Sequence, residues 1–255
     1  RLLIFDPTDD NTPVGDLPDH EQGSLALIIA GDQGALLRMP VTPPEANLLE
    51  RHTEAVLAAD GSITAKVSER SSGQSAVIER RAFRGRSRSD YTIMVERWIT
   101  SGVSGASLSK LDPSDNSAEG RFSLDVEFSA ARYGQLMQGR LLIFKPAIVS
   151  RRESLSLTGA ARKHPIVLES HAYTEKARIK LPEGFVVDEL PDPAKLEAPF
   201  GRYSTSYEVK DGHLHFTRTL VVQSAVIAAA DFAKVRAFFE RIRDAEQSPV
   251  VLARK

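Results

Sequence analysis

The chain has 255 residues, 42% hydrophobic and 26% charged, with 33 basic and 34 acidic side chains and a net charge of −1. That is enough for one or two domains with a self-supporting core, and it leaves no overall field to draw nucleic acid or anionic lipid. The absence of cysteine excludes disulfides, thiolate metal sites and thiol nucleophiles, and no apolar run approaches the roughly 18 residues of a membrane span.

Residues 1–45 read as a strand, a long polar loop and a hairpin. Leu2, Leu3, Ile4 and Phe5 form an apolar run that ends in Asp6-Pro7-Thr8. A start inside such a run, without an initiator Met, reads as the downstream part of a larger protein. The following DPTDDNTPVGDLPDHEQG is turn chemistry, dense in Asp, Pro, Gly and Asn. Leu25 to Ile29 is a strand-length apolar run that GDQG turns back into ALLRMP. TPPEAN (42–47) carries two prolines, which suit neither helix nor sheet interior, and reads as a linker.

Beyond it, two strand-like runs flank Asp60-Gly61 and two more flank Asp211-Gly212. Asp-Gly favours positive φ at both positions of a type I′ hairpin turn. At the second, a two-residue turn pairs Val209 with Leu214 and Tyr207 with Phe216 on one face. Each hairpin leads into helical sequence. After the first come QSAVIERRAF and a capping-box-like start at Ser87 and Asp90, with Tyr91, Met94, Val95, Trp98 and Ile99 on one face. After the second, Phe232, Val235, Phe239 and Ile242 repeat that spacing.

Between the hairpins, Phe122, Leu124, Val126 and Phe128 alternate with polar residues, a half-buried strand. RLLIFKP (140–146), HAYTEKARIKLP (171–182) and PVVLA (249–253) read as further strands, with PEG (182–184) as a turn. The expected class is α+β: mainly antiparallel sheets, sandwich-like, with about three helices. Residues 1–45 then form the edge of one domain, and 46–255 a β-rich module divisible near 150–160.

Five residue groups invite a chemical reading. Asp6, at a strand end, could orient a histidine and balance an imidazolium, or cap its own turn. His213 and His215 share a strand face and could hold a metal with a third ligand, but the hairpin register puts them on the exposed side. Asp112, Ser114, Asn116 and Glu119 lack the spacing of a calcium loop and read as a polar turn; the loop at Asp6, Asp9, Asp10 and Asp16 is a calcium candidate of similar standing. Arg80, Arg81, Arg84, Arg86 and Arg88 crowd RRAFRGRSR. With few aromatic partners beyond Phe83 and Tyr91, they read as a solvated helix end and loop with local acid partners rather than a phosphate-binding patch. No metal or cofactor is expected.

LLIFDPTDDNTPVGDLP resembles the third catalytic motif of the transglutaminase-like superfamily, in which a strand ends in Asp-Pro-Thr and the aspartate completes a Cys-His-Asp triad. GDLPDHEQG, QGRLLIFKP, SRRESLSL, ARKHPIVLES, IKLPEGFVVDELPDP and FGRYSTSYEVKDG are similar to the C-terminal region of bacterial multidomain members. The resemblance implies that Asp6 is the triad acid. The chain departs from the family in having no cysteine, and its six histidines all follow Asp6. It therefore implies an accessory C-terminal region, inert alone. The parent would be a periplasmic or exported thiol amidase, cysteine protease or cross-linker acting on protein or peptide, or an inactive relative. The expected partners are the upstream part of the same protein and, through exposed edge strands, a second copy. A free-standing β-rich binding or structural module is the alternative.

Overall fold

The structure is a computed structural model and describes residues 3–152, 157, 159 and 161–255. The first residue of the expected strand at 2–5 and the middle of SRRESLSL lie outside the described residues.

In chain order the strands are β1 (Leu25–Ala30), β2 (Gln33–Arg38), β3 (Leu48–Leu57), β4 (Ile63–Ser72), β5 (Ser107–Asn116), β6 (Arg121–Ala130), β7 (Gln135–Met137) and β8 (Leu141–Phe144). After them come β9 (Ile166–Leu168), β10 (His171–Lys180), β11 (Phe185–Glu189), β12 (Lys195–Ala198), β13 (Gly201–Lys210), β14 (His213–Val222), β15 (Ala225–Ile227) and β16 (Val250–Arg254). Helices α1 (Gly73–Arg84) and α2 (Arg88–Gly102) follow the first long hairpin, and α3 (Phe232–Gln247) follows the last.

Eight strands make one sheet in the order β12-β13-β14-β10-β3-β4-β6-β5. All its neighbours are antiparallel except β10 and β3, which run parallel at its centre. Each half is thus a hairpin-based unit, and the two units meet along one parallel seam. Strand alternation buries one face: Leu57, Ile63, Val67, Leu124, Val126, Ile179 and Leu214 all lie on it. A smaller sheet, β11-β16-β8-β7, covers the middle of that face with Leu142, Phe144, Val250 and Leu252. Helix α2 adds Tyr91, Val95 and Ile99 to the same cluster. Helix α3 closes a second cluster, where Phe232, Val235 and Ile242 meet Tyr203, Leu220 and Val222. The class is therefore α+β and sandwich-like.

The Asp211-Gly212 turn is the expected two-residue hairpin, with φ of 49° and 71°. It pairs Val209 with Leu214 and Tyr207 with Phe216. Helix α2 starts as expected, its Asp90 N–H donating to Ser87 Oγ at 3.2 Å.

Four local expectations are corrected. Leu3, Ile4 and Phe5 are not a strand; among the described residues no strand offers them a ladder, and Leu3 and Phe5 stand exposed. TPPEAN folds into a 3₁₀ turn at Pro44–Ala46 rather than a free linker. It is held because Gly73 (φ +55°) lets the start of α1 approach the Ala46 carbonyl, where a Cβ would sit 2.4 Å from it. The Asp60-Gly61 turn is a loop between Leu57 and Ile63, with positive φ only at Gly61. The Gly61 carbonyl accepts from Tyr133 N and Gly134 N at 2.9 and 2.8 Å, which replaces the tight hairpin geometry. Asp112, Ser114 and Asn116 lie on β5, so only Ser117 to Gly120 form the turn there.

Candidate functional site

Asp6 sits in the arm that precedes the hairpin. Its Oδ1 accepts from Thr8 N at 2.8 Å and from Thr8 Oγ1 at 2.7 Å. One carboxylate oxygen thus closes a local turn, and the other has no hydrogen bond among the described residues. The arm beyond it is fastened to α1 by the arginines of RRAFRGRSR. Arg80, fully buried, donates to Asp115 at 2.7 Å and to the Asn11 carbonyl at 2.7 Å. Arg81 pairs with Asp9 at 3.1 Å, and Arg84 with Asp115 at 2.8 Å. The Leu17 carbonyl accepts from Gln74 at 3.0 Å. The cluster is a clamp on residues 9–17: the expected local acid partners are Asp9 and Asp115, while the expectation of a solvated helix end fails at Arg80, whose burial is tolerable because its donors are met.

The hairpin β1–β2 is a sheet of its own. One face is bare and apolar, with Ile29 79%, Leu36 67% and Leu27 64% exposed, and on the other Ile28 and Leu37 are each 37% exposed. A two-stranded ribbon with such a face uncovered is marginal in water.

The other expected residues do not converge. His213 and His215 lie side by side on the open sheet face, ring centres 6.4 Å apart, and His213 Nδ1 bonds the Asp211 carbonyl. Among the described residues no group of three or more His, Asp or Glu could hold a metal. Among them, too, no helix is long and apolar enough to cross a membrane.

What sequence reasoning missed is a row of charges across the centre of the buried face. Cross-strand register aligns Glu69 with Arg51, Arg51 with Glu175, and Glu175 with Arg218, over β4, β3, β10 and β14. Arg51 meets Glu69 at 2.8 Å, and Arg218 meets Glu175 at 2.6 Å. Arg218 also reaches Glu246 of α3 at 3.1 Å. Thr53 and Tyr173 hydroxyls each donate to Glu175 at 2.9 Å. Arg51 and Arg218 share the Val149 carbonyl, at 2.9 and 2.7 Å, so the chain after β8 is seated on the row. Burial alone would raise the Glu175 pKa, but Arg218, Arg51 and the two hydroxyls outweigh it and hold the carboxyl below its usual range. Glu79 shows the opposite balance: burial pushes it up more than Arg152 at 3.0 Å pulls it down.

Beside the row opens a cavity of about 290 Å³, walled by Leu49, Ile78, Met94 and Leu220 and edged by Asp19, Glu169, Ser170 and His171. Burial, and then the neighbouring Glu169, push Asp19 up to about 7. Its folded pKa thus lies above the ordinary carboxylate value. The folded chain holds that proton more tightly than the unfolded chain, so stability falls as pH rises from about 4 to about 7. Asp19→Asn should accordingly stabilise the fold at pH 8 by about 1–3 kcal/mol, allowing for partial exposure, and change little at pH 4. Melting curves at both pH values check this; an equal shift at the two would contradict it.

Residues 140–252, under half of the chain, match the family model of a domain of unknown function with solved structure, DUF3858. No curated protein matches. A crystal structure of a candidate protease from Parabacteroides distasonis is similar at a TM-score of 0.38 and 11% identity, over 46% of this chain. The match takes in 24% of that chain, so the likeness spans about a quarter of it and is too distant to carry an argument. The similarity to DUF3858 runs from β8 into β16: it takes in Tyr173, Glu175, Arg218 and Glu246 of the buried row and leaves Arg51 and Glu69 outside.

Proposed function

We propose that this chain is the accessory C-terminal region of a transglutaminase-like protein. In it, Asp6 supplies the acid of a Cys-His-Asp triad, and the upstream part of the same protein supplies the thiol and the imidazole. The observation that supports this most is the β1–β2 hairpin. Leu27, Ile29 and Leu36 would be core residues of a larger sheet, and among the described residues nothing covers them. Leu3 and Phe5, exposed next to Asp6, fit the same reading. The module would then hold the arm through Arg80, Arg81 and Arg84 and so fix where the segment carrying Asp6 leaves the core. A parent of this kind would act on protein or peptide amides in the periplasm or outside the cell.

By itself the chain is expected to be inert. With no cysteine it has no thiolate to attack an amide. A peptidase or transamidation assay on the purified chain should match a blank. Turnover that survives Asp6→Asn would contradict the reading.

A further inference from the structure

We propose that the cavity between α1, the start of β10 and the Pro18-Asp19 segment binds a small organic cation, a primary ammonium on a short aliphatic chain. The inference stands apart from the function proposed above. At about 290 Å³ the cavity lies at the small end of ligand sites, and it adjoins a second of about 280 Å³ that shares Glu169 and His171.

The charge balance points to a cation. The arginines at its edge are met by acids: Arg151 pairs with Glu246 at 2.6 Å, and Arg152 with Glu79 at 3.0 Å and with Glu69. Arg152 Nε lacks a hydrogen bond, but the guanidinium charge is matched. Asn47 and Gln74 are also committed, Asn47 to the Ser170 carbonyl and the Gln74 N–H, Gln74 to the Leu17 carbonyl. The carboxylates of Asp19 and Glu169 are different, with no ion pair or side-chain hydrogen bond among the described residues. They leave the edge of the cavity with unmatched negative charge.

The hydrogen-bonding balance points the same way. His171 Nδ1 lies 3.0 Å from the Glu169 carbonyl, which only accepts, so Nδ1 carries the proton and Nε2 keeps a lone pair. Burial lowers the His171 pKa and favours that neutral form. Ser170, 4% exposed, is among the lining residues, and its buried Oγ has no partner among the described residues. A buried hydroxyl is rarely left unpaired. Two carboxylates and an imidazole lone pair accept hydrogen bonds, and an ammonium offers three donors. Leu49, Ile78, Met94 and Leu220 supply the apolar wall along which its chain would lie.

The test is a titration of the ¹⁵N-labelled chain at pH 8 with hexylammonium, hexanol and hexanoate. Hexylammonium should give saturable shifts at the amides of Asp19, Gln74 and residues 169–172. Hexanol should bind about tenfold more weakly and hexanoate not at all. Glu169→Gln, at an exposed position, should not lower the melting temperature, since it also relieves repulsion of Asp19, and should weaken hexylammonium about five- to tenfold. Asp19→Asn should weaken it too, as a second variant. Hexanol binding as tightly as hexylammonium, hexanoate binding more tightly, or both variants binding like the wild type would overturn the proposal.

Discussion

Arg218→Met is expected to cost the fold about 3–5 kcal/mol, because it strands a carboxylate in the core. Glu175 and Arg218 have no solvent-exposed side-chain surface, and the guanidinium donates to Glu175 Oε2 through Nε at 2.6 Å, with Nη2 also 2.6 Å from that oxygen. Removing it leaves Glu175 with Arg51 at 3.7 Å and two hydroxyls, too little to replace the hydration the carboxylate gave up. For a chain of this size the loss is roughly 6–20 °C in Tm. The exposed pair Arg178–Glu54, at 3.5 Å, provides the contrast: breaking it should cost under about 1 kcal/mol, since water already screens it. The double variant Arg218→Met with Glu175→Gln should recover much of the loss, because an uncharged amide no longer needs a cation. Thermal melts of the three variants decide this; equal losses at the buried and exposed pairs would show that the row carries no special weight.

In a longer protein that contains the thiol and the imidazole, Asp6→Asn is expected to lower kcat about 10²–10⁴-fold while leaving Tm unchanged. The carboxylate would accept the imidazole N–H and balance its charge in the transition state. Asparagine keeps the shape but supplies no charge, and it can present its N–H to the wrong tautomer. The lower end of the range allows for a thiol that ionises more readily than a hydroxyl. Thr8 should keep the side chain in place, since its N–H and hydroxyl donate to Oδ1, and Asn offers an oxygen there. Unchanged kcat would reduce Asp6 to a turn-capping residue. Activity lost together with stability would mean that Asp6 holds the arm rather than the chemistry.

The parts of the fold that were legible are those where local sequence and tertiary demand agree. Phe122, Leu124, Val126 and Phe128 alternate because one face of β6 is core, and Asp211-Gly212 tolerates the positive φ that a two-residue turn requires. The Ser87 start of α2 was readable because its cap lies within three residues. What was not legible depends on partners far along the chain. The turn at Gly61 is set by Tyr133 and Gly134, seventy residues on, so local turn chemistry misjudged it. Arg80 looked like part of a solvated patch, because its partners Asn11 and Asp115 come from either side in sequence.

The buried row did leave a trace. Arg51 is in phase with Ala55 and Leu57, Glu69 with Val67 and Ala65, Glu175 with Ala177 and Ile179, and Arg218 with Phe216 and Leu220. A charge on the apolar phase of a strand implies a buried partner. The phase says that a partner exists; strand order and register say which, the hairpin β3–β4 for Arg51 and Glu69, the pairing of β10 with β14 for Glu175 and Arg218, and the parallel seam for joining the two pairs. The cavity left no comparable trace, since Asp19 and Glu169 are 150 residues apart and ordinary in their local settings.

The central claim is that the β1–β2 hairpin and the arm carrying Asp6 belong to a larger core that the upstream part of the protein completes. Amide hydrogen exchange on the isolated chain and on the longer protein tests it most directly. In the isolated chain, the amides of β1 and β2 should exchange within seconds to minutes, while those of β3 and β10 at the sheet centre stay protected. In the longer protein, the β1 and β2 amides should slow by about a thousandfold or more, with β3 and β10 unchanged. Fast exchange of β1 and β2 in both would contradict the account.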